Sequence, residues 1–263
     1  MYRYLLVIKD FHVPAYGVMA VIGYFVGMYF INREAQRNLI KPIMMQSLSM
    51  WIIVGMLIGA RIWYAMENWY QYAPDPISVL KLWEGGMVFY GGFIGGFIGG
   101  LLFIKLAKLP LPKVLDITAP GIAIAVAIGR IGCFLNGCCY GRETSSRIGI
   151  CFPQRWFPPV YIDQVQRGVI SGEMQRTLPV IPTQLMAALS LFIIFLILWK
   201  IRRKIVFEGF LFTLFLGLYG LQRFTIDFFR QYSGNALILK YLTLSQALSI
   251  FMMAICIVVM LIA

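Results

Sequence analysis

Polar clusters cut the chain into seven apolar stretches, at about 14–31, 47–66, 87–105, 114–135, 183–199, 209–224 and 243–263. Each is close to the roughly 20 residues a helix needs to cross the hydrocarbon core. A helix satisfies its own backbone hydrogen bonds inside lipid, so helical spans are the expected element. A membrane barrel would instead show alternating segments of about 10 residues, which this chain lacks. The first stretch follows no small-residue cleavage site and reads as a span rather than a removable signal peptide. The pattern predicts an all-α membrane protein of about seven transmembrane helices, forming one transmembrane domain over residues 1–263. Residues 136–182, between spans four and five, break the pattern. With Pro153, Pro158, Pro159, Pro179 and Pro182 they read as a small extracytoplasmic head.

The connections after spans one, three and five carry Arg33, Arg37 and Lys41, then Lys105, Lys108 and Lys113, then Lys200, Arg202, Arg203 and Lys204, with Glu34 opposing them. The connection after span two has Lys81 against Glu67, Asp75 and Glu84. By the positive-inside rule the first set is cytoplasmic, which puts the N-terminus and the head outside and the C-terminus inside. The head's own arginines do not count against this, because long loops cross largely regardless of charge.

Composition sharpens the class. The chain is 60% hydrophobic and 13% charged, with a mean hydropathy of +0.78. Soluble domains are about 45–50% apolar and roughly a quarter charged, so a soluble globule and a disordered chain are excluded. The net charge of +12 sits in short loops between apolar runs. It therefore points to anionic headgroups and topology, and nucleic acid is not an expected partner.

Ionisable residues inside spans are functional candidates by default. They are Arg61 in span two, Asp116 and Arg130 near the two ends of span four, and Arg223, Asp227 and Arg230 following span six. If that last stretch stays helical, its three residues share one face. Internal ion pairing accounts for any one of these. As a group, the arginines outnumber the acids toward the outer face. A surplus of guanidinium in a membrane wants an anion, and its fork matches phosphate geometry. A phospholipid headgroup is the phosphate at hand.

Gly85-Gly86 leads into Gly91-Gly92, Gly95-Gly96 and Gly99-Gly100. Pairs repeating every fourth residue make a smooth stripe for close helix approach. Tyr90, at the head of the stripe, is either a proton-exchanging phenol or an interfacial aromatic. Span four ends in Arg130-Ile-Gly-Cys133-Phe-Leu-Asn136-Gly137-Cys138-Cys139, where backbone leaving the helix could line a cavity. Together with Cys151, these cysteines fit disulfides, structural thiols, or a reactive or metal-binding thiol site. The spacing is not Cys-x-x-Cys and the single histidine, His12, is far along the chain and reads as interfacial. No metal is therefore expected. Cys256, in the last span, reads as packing.

These motifs resemble the prolipoprotein diacylglyceryl transferase family along nearly the whole chain. Tyr16-Gly17 resembles the family's early Tyr-Gly pair, and Gly59-Ala60-Arg61-Ile62 its Gly-Gly-Arg-Ile. Trp83-Glu84-Gly85-Gly86-Met87-Val88-Phe89-Tyr90-Gly91-Gly92 is similar to Trp-Asp-Gly-Gly-Met-Ser-Phe-His-Gly-Gly. Asp116 through Gly129-Arg130-Ile131-Gly132 resembles the start of the family signature, and Pro182-Thr183-Gln184-Leu185 its Pro-Ser-Gln-Leu. Arg223 and Asp227-Phe228-Phe229-Arg230-Gln231 resemble its arginine-rich stretch before the last span. Tyr90 stands where the family has histidine, Cys133 and Cys138 where its signature has Asn and Glu, and Ile181 and Ala187 where it has His and Glu.

The resemblance implies a seven-helix enzyme of the bacterial cytoplasmic membrane. It would move a diacylglyceryl group from phosphatidylglycerol onto a prolipoprotein lipobox cysteine, with no cofactor. Arg130 and Arg223 match the family's essential pair, and Tyr90 takes the third catalytic position. Tyr16, Arg61, Gly85, Gly86, Asn136, Gly137, Asp227 and Arg230 are the expected substrate-binding residues. The residues that grip phosphate are kept and those that handle protons are changed, so the acceptor is less closely specified than the donor. Two other readings stand beside this one: a membrane thiol–disulfide oxidoreductase using Cys133, Cys138 and Cys139, and a non-catalytic lipid-binding homologue.

Overall fold

The computed structural model describes residues 3–8, 11–81, 85–204, 206–232, 237–238 and 242–262; Trp83 and Glu84 of the glycine-loop motif lie outside them. A hairpin of β1 (Tyr4–Ile8) and β2 (Phe11–Pro14) leads into α1 (Ala15–Arg37) and α2 (Pro42–Glu67). A short α3 (Trp69–Tyr72) and a 3-10 turn (Pro76–Leu80) precede α4 (Phe89–Leu106) and α5 (Leu111–Asn136). Then come α6 (Pro159–Gln166), α7 (Thr183–Ile201), α8 (Phe210–Asp227), paired strands β3 (Leu237–Ile238) and β4 (Leu242–Thr243), and α9 (Leu244–Ile262).

Among the described residues, six helices are long and apolar enough to cross a membrane: α1, α2, α4, α5, α7 and α9. The protein is thus an all-α membrane protein apart from two small hairpins that the apolar pattern did not foretell. The sixth apolar stretch does form a helix, α8, but Gln222, Arg223 and Asp227 in its last turns keep it out of that set.

The chain packs as two compact units, Met1–Ile31 with Leu115–Ala263, and Asn32–Val114. In the first, α1 and α5 run against each other along glycines. A Cβ on Gly23 would lie 2.8 Å from the Ala125 carbonyl, and one on Gly27 would lie 2.8 Å from that of Gly121. The same seam continues to Gly132, which faces Met19 and Tyr16. On the other side of α5, Ala119, Ala123 and Ala127 meet Leu191, Phe195 and Leu198 of α7 and Leu211 and Phe215 of α8. Small residues on α5 are what let three helices close around it.

Asp116 holds this bundle at one end. Its carboxylate accepts from the backbone N–H of Gly209, at 2.8 Å, and of Phe212, at 3.0 Å. It caps the start of α8 rather than pairing with an arginine, satisfying two otherwise orphaned donors. The segment between α5 and α7 has its own small core of Phe152, Val160 and Val180. Buried Gln164 braces it through the Leu178 N–H, at 2.9 Å. The N-terminal hairpin joins this segment: Arg3 donates to the carbonyls of Trp156 and Phe157, and Tyr4 and His12 pack on the Trp156 ring.

In the second unit, α2 and α4 meet glycine on glycine. Gly55 and Gly59 face Gly91, Gly95 and Gly99 so closely that a Cβ at any of them would collide with the opposing chain. The stripe read from the sequence is a helix-packing surface.

Candidate active site

The residues at the end of α5 converge with those after α8. At the end of the α1–α5 seam, Tyr16 is within electrostatic reach of Arg130, Cys133, Cys138 and Cys139. Arg130 lies on α5 just before Cys133 and is half-buried, with the Tyr219 hydroxyl of α8 in hydrogen-bonding reach. Beyond Asn136 the backbone leaves the helix at Gly137 (φ +74°) and turns again at Cys139 (φ +60°). Gly137 is buried, and a Cβ there would lie 2.8 Å from Pro158. α7 pins this loop: Thr183 Oγ1 donates to the Cys139 carbonyl and Gln184 Nε2 to that of Cys138, each at 2.8 Å. The Asn136 side chain reaches the Cys138 thiol.

The sulfurs of Cys133, Cys138 and Cys139 lie within 4.8 Å of one another and are not joined in a disulfide. Cys151 is separate and exposed, and Cys256 is buried in α9.

From the other side, α8 brings Tyr219, Arg223 and Asp227 onto one face, four residues apart. Buried Asp227 accepts from the hydroxyls of Tyr232 and Thr243 and lies 3.5 Å from Arg223, whose Nε donates to Ser245 Oγ at 2.8 Å. Burial, and after it the bond to Asp227, pushes the Tyr232 phenol above its ordinary value. The helix stops at Asp227, so Arg230 does not continue that face, contrary to the helical expectation. Its backbone bridges to Gly141, its guanidinium sits 5.4 Å from the Tyr232 ring centre, and its Nε is buried with no hydrogen-bond partner among the described residues. Arg230 and Arg130 both lie within electrostatic reach of Cys139.

The cluster is cationic. Among the described residues neither Arg130 nor Arg230 has a carboxylate partner, and Arg223 shares Asp227 with two hydroxyls. Tyr219, Tyr232, Thr243 and Ser245 were missed from sequence. Only Tyr219, four residues before Arg223, carried a readable signal.

Arg61, Gly85, Gly86 and Tyr90 belong to the second unit. Arg61 is 3% exposed, and its guanidinium donates to the carbonyls of Ser78, Val79, Lys81, Gly85 and Gly86. It also lies over the Tyr72 ring, 5.3 Å from its centre. This arginine folds the loop it was expected to serve alongside. Gly85 and Gly86 both have positive φ, at +79° and +75°, and a Cβ on Gly86 would strike the Tyr64 ring. Tyr90, in the first turn of α4, is 69% exposed. Along α2 and α4 runs an apolar groove of about 610 Å³, lined by Trp51, Val54, Ile58, Trp63, Ile94 and Ile98 among others.

The profile of the family described as prolipoprotein diacylglyceryl transferase matches residues 3–262. Among similar proteins, a phosphatidylglycerol–prolipoprotein diacylglyceryl transferase of Desulfotalea psychrophila is 31% identical over 89% of this chain and 83% of its own length. One from Geobacter sulfurreducens is 28% identical over 82% of this chain and 77% of its own, and one from Francisella tularensis subsp. novicida 31% over 89% and 83%. The family match over residues 3–262, with relatives 31% identical over 89% of the chain, places this chain in the prolipoprotein diacylglyceryl transferase family of membrane enzymes.

Proposed function

We propose that the protein transfers the diacylglyceryl group of phosphatidylglycerol, or a similar anionic phospholipid, to the cysteine thiol of a prolipoprotein lipobox. Arg130, Arg223 and Arg230 hold the phosphodiester. The acceptor thiolate forms a carbon–sulfur bond to the glyceryl carbon as the carbon–oxygen bond to phosphate breaks. The bonding pair leaves with glycerol phosphate, and the guanidinium groups stabilise the charge it carries away. Tyr16, Asn136 and Gly137 border the headgroup, and Asp227 orients Arg223. The acceptor thiol must first lose its proton, since only the thiolate is nucleophilic; Tyr90, at the position where the family motif has histidine, can take that proton only as its phenolate. Arg61 serves by shaping the Gly85-Gly86 loop.

In this reading α8 completes seven spans in the bacterial cytoplasmic membrane. The N-terminus and the segment 136–182 lie outside and the C-terminus inside, so the site faces the leaflet where prolipoproteins emerge. The observation that carries the assignment is the pair of half-buried arginines, Arg130 and Arg230, with no carboxylate of their own among the described residues. Purified protein given labelled phosphatidylglycerol and a lipobox peptide should release glycerol phosphate and yield a thioether-linked peptide. Lipid binding with no release would leave a lipid-binding homologue and remove the transferase reading.

A further inference from the structure

Three thiols meet at the loop after α5, and no step of the transfer uses them. Their Sγ atoms lie within 4.8 Å of one another, on a backbone fixed by Thr183, Gln184 and the Cys138 N–H bond to the Cys133 carbonyl at 3.2 Å. We propose that Cys133, Cys138 and Cys139 form a three-coordinate site for a thiophilic monovalent cation, Cu(I).

The geometry, the donor set and the charge each point the same way. A metal–thiolate bond of about 2.3 Å sets the corners of a trigonal plane roughly 4 Å apart, so the sulfurs need close by less than about an ångström. Thiolates select soft ions: Cu(I), Zn(II) or iron–sulfur clusters. Structural zinc wants four ligands and iron–sulfur clusters want four cysteines. Among the described residues no fourth cysteine, histidine or carboxylate joins these three.

Three thiolates around one Cu(I) carry two negative charges. Arg130 and Arg230, both within electrostatic reach of Cys139 and without carboxylate partners among the described residues, offset that charge when they do not hold a lipid phosphate. Binding forms three copper–sulfur bonds and releases the three thiol protons to solvent. Copper remains Cu(I), so no electron is transferred. The sequence spacing argued against a metal because it lacked Cys-x-x-Cys. The turns at Gly137 and Cys139 supply the convergence that spacing alone did not.

The test is a Cu(I) titration of the full chain in detergent, kept anaerobic with a thiol-free reductant, against a chromophoric Cu(I) chelator. The expected result is one Cu(I) per chain with a near-ultraviolet thiolate-to-copper band. Cys133→Ser, Cys138→Ser or Cys139→Ser each weakens binding by at least about 100-fold, while Cys151→Ser leaves it unchanged. Should a serine variant aggregate, alkylation mapping of the native chain decides: Cu(I) must protect these three thiols and leave Cys151 reactive. Failure to take Cu(I) from the chelator, tighter binding of Zn(II) than Cu(I), uptake that survives Cys133→Ser, or a disulfide between two of the three in anaerobic protein would each overturn the proposal.

Discussion

Arg61 and Arg130 look alike in the sequence, each a lone cation in an apolar run, yet the fold employs them oppositely. Arg61 is sealed in and gives its donors to the carbonyls of Ser78, Val79, Lys81, Gly85 and Gly86, whereas Arg130 is half-buried and meets a phenol and thiols. The anomaly of each was legible. Its employment was not, because Arg61's partners lie 17 to 25 positions away in a loop. Arg61→Gln should therefore lower stability by about 3 kcal/mol, since several buried carbonyls lose a charged donor. Thermal unfolding in detergent reads this. Arg130→Gln should leave the melting temperature nearly unchanged and slow transfer by about 100- to 1,000-fold. An Arg61→Gln protein as stable as the parent would contradict the structural role.

At the scale of elements, the period-four glycines of α4 were readable because close packing demands this repetition, though of their partners on α2 Gly59 was read only as part of a motif and Gly55 was not singled out. Gly95→Leu should unseat α2 from α4 and cost about 1–3 kcal/mol or more, visible as protease sensitivity in residues 32–114. The continuation of α8 to Arg230 stood as a condition on the sequence, since nothing in Arg-Phe-Thr-Ile-Asp-Phe-Phe-Arg marks a stop; the helix ends at Asp227, whose carboxylate accepts from the hydroxyls of Tyr232 and Thr243 beyond it.

In the 136–182 segment, burial would raise the Glu143 carboxyl, but the Arg167 guanidinium outweighs it and holds the group below its ordinary value of 4.5. A depressed carboxyl contributes its stability above the unfolded value and loses it as pH falls through the folded one. Opening of this segment, followed by hydrogen exchange, should therefore increase below about pH 4.5 in the parent and be less pH-dependent in Arg167→Ala. The pair is partly exposed, so the effect should stay within about 1 kcal/mol.

For the whole molecule, apolar runs and loop charges made the membrane class and most helix positions legible, because lipid imposes length and composition directly. The two hairpins and the packing of the chain into two units were not legible, because they rest on contacts between residues distant in sequence. The orientation makes its own prediction: a membrane-impermeant maleimide should label exposed Cys151 in intact spheroplasts, and a cysteine placed at Arg203 only after permeabilisation. The reverse pattern would invert the topology and put the arginine cluster in the wrong leaflet.

The central claim is that guanidinium groups beside the α5 loop, two of them without a carboxylate partner among the described residues, hold a lipid phosphate. Native mass spectrometry of protein extracted in mild detergent measures this directly. The parent should retain one phosphatidylglycerol, and Arg130→Gln should lose it with a drop in affinity of about 10- to 100-fold, the worth of a charge-assisted phosphate contact. Full retention by folded Arg130→Gln would contradict the account.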